Sequence, residues 1–193
     1  MRKKSHISLA QYIVRNMEEQ KLADHRKAFY LGSILPDCKP SFLSTKHEFN
    51  GTFLKVKQDI RALVENLELY ENNQRAFMRH LGDYFTFPHN TIYPGNLKDH
   101  CVYEGEMKLY LRQYLLDGRA RAEQKAPVKL ASLEQLYAFI QKTHDEYLQM
   151  KHSIEEDCRY IVNLCYQVVT TIIELFTANC HQAALAQNDM LSG

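Results

Sequence analysis

Hydrophobic residues recur every three or four positions along almost the whole chain, which is the period of an amphipathic helix. No sustained alternation of apolar and polar residues predicts a strand. The pattern therefore predicts an all-α fold, a single multi-helix domain over residues 1–193, with about seven helices. The predicted helices cover about residues 8–22, 24–35, 53–69, 72–87, 97–116, 132–152 and 154–186.

The last predicted helix has the most apolar stretch of the chain, from Ile161 to Phe176. Polar side chains flank and interrupt this stretch at about every fourth residue, namely Arg159, Asn163, Gln167 and Glu174. An uninterrupted apolar run is the pattern of a membrane span, so this helix is interpreted as a core strut and no membrane span is predicted.

The net charge, the N-terminal segment and the cysteine content indicate which partners and which cellular compartment to expect. Lys and Arg number 24 against 23 Asp and Glu, a net charge of +1, so no overall basic character predicts a nucleic-acid partner. The chain begins with a short basic run, but polar residues interrupt the segment from Ser5 to Gln11, so no signal peptide is predicted. Five cysteines without a Cys-x-x-Cys spacing indicate reduced thiols and a cytoplasmic location.

Candidate chemistry is concentrated in one 25-residue stretch that contains His80, Asp83, His89, His100 and Glu104. On a helix, residues three or four apart share a face, so His80 with Asp83 and His100 with Glu104 are two candidate chelating pairs. Imidazole nitrogens and carboxylate oxygens are the ligands of catalytic zinc. The alternative is that these are ordinary surface and capping residues.

Three further candidates precede this stretch: His6 ahead of the first predicted helix, Asp37 after the second, and His47 in the following loop. Taken singly, each is typical of a cap or a turn. Taken in order, the pieces resemble the zinc-dependent phospholipase C family, which includes secreted phosphatidylcholine-hydrolysing enzymes and the clostridial alpha-toxin. The matching pieces are His6, Gly32-Ser33-Ile34-Leu35-Pro36-Asp37, His47, Asp83 with His89, and His100 with Glu104.

The resemblance implies an all-helical domain with a multinuclear metal site of two or three zinc ions between its helices. It assigns His47, a histidine of the fourth helix and Asp83 to one ion with Asp37 nearby, His89, His100 and Glu104 to a second, and His6 with a bridging Asp83 to a third. It also implies that Asp37 is a candidate general base for water attacking phosphorus. The implied activity is hydrolysis of a phosphodiester, with a phospholipid as the leading substrate, to an alcohol and a phosphomonoester.

Two features depart from the family pattern. Secreted members also use the amino group of a mature N-terminal residue as a ligand of the third ion, and no processing site is predicted here that would place such a residue near His6. The second departure is a changed ligand position. The family histidine four residues before Asp83 is replaced by Arg79, and a guanidinium has no lone pair for a metal. His80, three residues before Asp83, is the natural substitute because it shares the same helix face. Two alternatives therefore stay open: a non-enzymatic metal-binding helical protein or decayed pseudoenzyme, and a nuclease-like phosphodiesterase.

Overall fold

A computed structural model describes residues 3–38, 49–88 and 97–191, although the side chains of Asp37, Asn50, 97–101 and 190–191 lie outside the description. These ranges contain ten α-helices, a short 3-10 helix at Pro36–Cys38, further 3-10 geometry at residues 87–88, and no strand, so the all-α prediction is confirmed. The helices are α1 Lys3–Asn16, α2 Gln20–Asp24, α3 Arg26–Ile34, α4 Phe49–Glu65, α5 Leu67–Tyr70, α6 Gln74–Tyr84, α7 Leu97–Leu116, α8 Arg119–Ala122, α9 Leu133–Leu148 and α10 Ile154–Leu191.

The first helix begins earlier than its apolar residues predict. His6 was expected to precede this helix, and that expectation is wrong because His6 lies in the first turns of α1. Ser5 and His6 are one helical turn ahead of Leu9 and Ala10, and all four are buried. The stripe of α1 that faces the core thus starts with two polar residues, which hydrophobic periodicity does not register.

The backbones of α3 and α6 touch at a pair of glycines. A Cβ atom added to Gly32 would lie 2.0 Å from the carbonyl oxygen of Arg79, and one added to Gly82 would lie 2.3 Å from that of Phe29. Only residues without a Cβ allow this approach. The Phe29 ring also stacks on Phe85 at 4.8 Å, so the two helices meet near their C-terminal ends. The segments that follow α3 and α6 therefore leave from the same crossing.

The longest helix, α10, passes through the core. Most apolar residues between Ile161 and Phe176 are buried, which confirms the prediction that this stretch is a core strut. Within the described residues, the segment Ile154–Asp189 alone is long and apolar enough to cross a membrane by length and composition, with a mean hydropathy of 1.5 over an 18-residue window. Of that window, 61% is buried inside the fold, as expected for a core helix.

Three helices of four or five residues, α2, α5 and α8, were not predicted from the sequence. Each holds little more than one turn, which is too short for a recurring apolar stripe. The assignment of residues 1–193 to a single domain stays a prediction.

Candidate metal centre

Four of the eight candidate metal ligands have described side chains: His6 on α1, His80 and Asp83 on α6, and Glu104 on α7. The other four side chains, those of Asp37, His47, His89 and His100, lie outside the described part of the chain. Among the described residues, no group of three or more His, Cys, Asp or Glu side chains is arranged to hold a metal ion. The complete ligand set therefore stays a prediction.

The two candidates on α1 and α7 are buried. His6 is 1% exposed and Glu104 is 8% exposed, and α1 packs against both α3 and α7. Glutamate is almost never this deeply buried unless its charge has a partner. A buried imidazole and a buried carboxylate on neighbouring helices are donors of the kind that zinc takes. The donor chemistry of this region therefore fits a zinc site.

Asp83 is positioned by the contact between α3 and α6. It directly follows Gly82, and a Cβ atom on Gly32 would lie 3.0 Å from its backbone nitrogen. The 3-10 turn that contains Asp37 starts two residues after the end of α3. Glycine in the Gly-Ser-x-x-Pro-Asp segment is thus required for the close approach of the backbones that carry two candidate carboxylates.

Tyr84, beside Asp83, is held in its neutral form. Burial, together with the negative charges of Asp59 and Asp83, raises the pKa of Tyr84 well above its usual value. The phenol therefore stays protonated across the physiological range and can act as a hydrogen-bond donor next to the candidate site.

His80, the substitute ligand, packs beside two tyrosine rings and the Arg79 side chain. Its ring lies 5.7 Å edge-on from that of Tyr70 and stacks at 6.2 Å on Tyr84. Its Nε2 atom is 3.4 Å from Nη2 of Arg79, which can only donate a hydrogen bond. In this contact Nε2 of His80 is the acceptor and the Arg79 guanidinium is the donor.

Aromatic packing anchors the segments next to two candidates outside the description. Phe49 follows His47 by two residues, and Phe87 precedes His89 by two residues. Both rings pack on Phe53 of α4, with centroids 4.9 Å and 5.8 Å away, respectively. Phe49, the first residue of α4, and Phe87, which follows α6, therefore both pack against the same ring of α4.

A buried carboxylate on α10 fixes α7 and α9 to that helix. Asp157, only 2% exposed, accepts hydrogen bonds from the hydroxyls of Tyr103 on α7 and Tyr147 on α9, the latter at 2.7 Å. Burial is the largest cause, and the hydrogen bond to Asp157 the second, of a raised pKa at both phenols. Both hydroxyls therefore stay protonated and donate to Asp157. Because Tyr103 directly precedes Glu104, this contact fixes the backbone that carries the candidate ligand.

His144 connects the contacts around Asp157 to the start of α4. Its ring stacks on Phe49 with centroids 3.7 Å apart, and its Nδ1 atom is 3.2 Å from the hydroxyl of Tyr160. Burial lowers the pKa of His144, so the imidazole is neutral at physiological pH. The aromatic and polar contacts thus run from Phe49 through His144 to the core helix α10.

Sequence analysis did not single out Asp157 or His144. Asp157 lies four residues before Ile161 on the buried stripe of α10, and an acidic residue in register with a buried stripe is a signal that could have identified it. Of the aromatic residues around the candidates, Phe85 and Phe87 are buried core residues, whereas Tyr103 is half-buried and bonded to Asp157.

The structure thus defines an all-helical protein whose imidazole and carboxylate donors are carried by α1, α6 and α7. Residues 5–154 match the sequence profile of the family Zinc dependent phospholipase C, and the chain belongs to this family. The matched region contains all eight candidate ligands and ends where α10 begins. The family supports a phospholipase C-like hydrolase. No curated protein and no solved structure matches the chain at a significant level.

Proposed function

We propose that this protein is a zinc-dependent phosphodiester hydrolase that releases an alcohol and a phosphomonoester from a phospholipid. The observation that carries the proposal is the family match over residues 5–154, which includes every candidate ligand in order. Burial of His6 and Glu104 on neighbouring helices supports it, because such donors are suited to a metal ion.

The proposed ligands for two or three zinc ions are His6, Asp37, His47, His80, Asp83, His89, His100 and Glu104. Zinc in such a site supplies Lewis acidity toward phosphate oxygens and a bound water of lowered pKa. Asp83 has two carboxylate oxygens and is the proposed bridging ligand. Asp37 is the proposed general base, which accepts the proton of the water that attacks phosphorus.

The protein around the proposed ligands holds their backbones in position. The glycine contact between α3 and α6 sets the separation of the segments that carry Asp37 and Asp83. The Asp157 contact with Tyr103 holds the α7 backbone at Glu104. Rigid placement of this kind matters because small displacements of reacting groups reduce rates strongly.

Metal content measured in purified protein tests the proposal. We expect two or more zinc equivalents, with hydrolysis of phosphatidylcholine that is lost on chelation and restored by zinc. Asp83→Asn and Glu104→Gln should each lower the zinc content. Glu106→Gln is the matched control for Glu104→Gln, because Glu106 is an exposed residue of the same helix. If Asp83→Asn keeps its full zinc content, the bridging role is wrong.

Arg79 favours a second candidate function, a metal-binding protein that has lost catalysis. Its side chain is exposed and replaces a family ligand. Under this alternative, the purified protein binds zinc but hydrolyses no phosphodiester, and Arg79→His raises both zinc content and hydrolysis. If single-stranded nucleic acid is hydrolysed in preference to phosphatidylcholine, the nuclease-like alternative replaces the phospholipid assignment.

A further inference from the structure

An open groove of about 520 Å³ runs between α1 and α7. Four basic side chains line it: Lys4 and Arg15 from α1, and Lys108 and Arg112 from α7. Lys4 and Arg15 lie eleven residues apart, which is three helical turns, so the basic residues extend along the length of α1. The groove therefore presents positive charge along two packed helices.

The positive charge of the groove is not neutralised by described residues. No acidic side chain of the described ranges lines the groove, and none of its four cations forms an ion pair there. Asp117, next to the groove residue Leu116, is itself paired with Arg119 at 2.9 Å. Because the whole chain has a net charge of only +1, four such cations on one surface are a local concentration.

Two large apolar side chains lie beside these cations. Leu109 is 69% exposed and Leu116 is 67% exposed, and both line the groove. On α7 they stand three residues before and four after Arg112, so all three share a face. A surface that combines exposed leucines with unpaired cations matches the boundary of an anionic bilayer, where headgroups are charged and chains are apolar.

The groove adjoins the candidate metal centre. Ser5 lines it, is 3% exposed, and has a hydroxyl without a hydrogen-bond partner among the described residues. The next residue, His6, is a proposed zinc ligand, and the other wall, α7, carries the proposed ligand Glu104. A lipid surface against the groove would therefore lie next to the proposed site of hydrolysis.

We propose that the α1–α7 groove docks the protein on the surface of an anionic phospholipid bilayer, with Lys4, Arg15, Lys108 and Arg112 binding headgroup phosphates and Leu109 and Leu116 entering the interface. This inference deepens the proposed function and rests on it for the nature of the surface. It assigns membrane association to the helical domain itself. Docking is electrostatic in its larger part and is weakened by salt.

Vesicle co-sedimentation tests the docking surface. The full-length protein should bind vesicles of phosphatidylcholine mixed with phosphatidylserine much more tightly than vesicles of phosphatidylcholine alone. Replacing the four groove cations by glutamine should weaken this binding by on the order of 10³-fold, since each cation near an anionic surface contributes roughly fivefold. Leu109→Gln with Leu116→Gln should weaken it roughly tenfold with little change in salt dependence.

The matched control removes the same charge elsewhere, by glutamine at Lys55, Lys125, Lys129 and Lys151, which are all exposed and outside the groove. This variant should bind vesicles within a fewfold of wild type. Equal losses in the two charge variants, or normal binding by the groove variant, would overturn the proposal. So would equally tight binding of a single-stranded oligonucleotide that displaces the vesicles, because the groove would then be a general polyanion site.

Hydrolysis of a water-soluble phosphodiester, bis(p-nitrophenyl) phosphate, separates docking from catalysis. The groove variant should retain this hydrolysis and lose activity only on vesicles. A protein that binds anionic vesicles through the groove but hydrolyses no phosphodiester would contradict the proposed function and leave the docking surface supported. Hydrolysis of the soluble substrate combined with no vesicle binding would support the proposed function and contradict the docking surface.

Discussion

Replacing Gly32 by alanine should force α3 and α6 apart. The added Cβ would start 2.0 Å from the Arg79 carbonyl oxygen, and contacts below 3.0 Å essentially do not occur, so the helices must separate by about 1 Å. The obstacle is backbone within a helix, so no side chain can rotate away. A gap of this size removes about a quarter to a half of the dispersion energy of each affected contact.

Two opposing effects determine how far Gly32→Ala lowers the free energy of unfolding. Inserting a methyl group into a close-packed contact destabilises by about 1–3 kcal/mol, sometimes more. The higher helix propensity of alanine offsets up to about 1 kcal/mol of this loss of stability. Because the obstacle is rigid backbone, we expect a net loss of about 2 kcal/mol or more, which lowers Tm by roughly 4–8 °C in a chain of this size. Gly82→Ala, at 2.3 Å from the Phe29 carbonyl, should behave similarly.

Thermal unfolding followed by circular dichroism measures this effect, and Gly51→Ala is the control. Gly51 lies in α4, is exposed, and a Cβ there would meet nothing within 4 Å, so alanine should stabilise by about 0.5–1 kcal/mol through helix propensity. The double variant Gly32→Ala with Gly82→Ala should be less destabilised than the sum of the singles, because one separation relieves both clashes. A Gly32→Ala protein that melts at or above the wild-type temperature would refute the reasoning.

Three further predictions concern the supports of the site. Asp157→Ala should lower the free energy of unfolding by about 2–4 kcal/mol, measured in urea, because buried phenols such as that of Tyr147 lose their acceptor. Asn73→Ala should cost about 1 kcal/mol in the same assay, because Asn73 caps α6 by accepting from the Ala76 N–H at 3.1 Å. Burial lowers the pKa of His144 below its ordinary 6.5, so the unfolded chain takes up the proton first and stability should fall as pH drops below about 6.5. In chelator-treated protein, His144→Gln should show a shallower fall in Tm between neutral and acidic pH, and an unchanged slope would contradict this role.

Long helices with clear stops could be predicted from the sequence, and short or polar ones could not. The bounds of α7 agree with the prediction, because Pro94 and Gly95 precede it and Gly118 follows it. The end of α1 at Asn16 was missed because apolar spacing continues past it, while the Glu19 side chain caps α2. Apolar spacing records which residues are buried, and it does not record where a side chain caps the next helix.

For the candidate site, the order of His and carboxylate residues led to the family from sequence alone, and this recognition is confirmed. The contacts that position them could not be predicted, because their partners are far apart in the chain. Gly32 and Gly82 are 50 residues apart, and Tyr103 and Asp157 are 54 residues apart. Local patterns of three or four residues contain no information about such pairs. The individual ligand roles and the cytoplasmic location stay predictions.

Because of Asp157, the region that matches the family profile is shorter than the unit that folds. The family match ends at residue 154, yet Asp157 on α10 accepts the Tyr103 hydroxyl beside Glu104. A fragment cut at the edge of the match would keep all eight candidate ligands and lose both this acceptor and the apolar stretch Ile161–Phe176. The smallest piece worth expressing for study of the metal centre therefore includes α10 at least through Phe176.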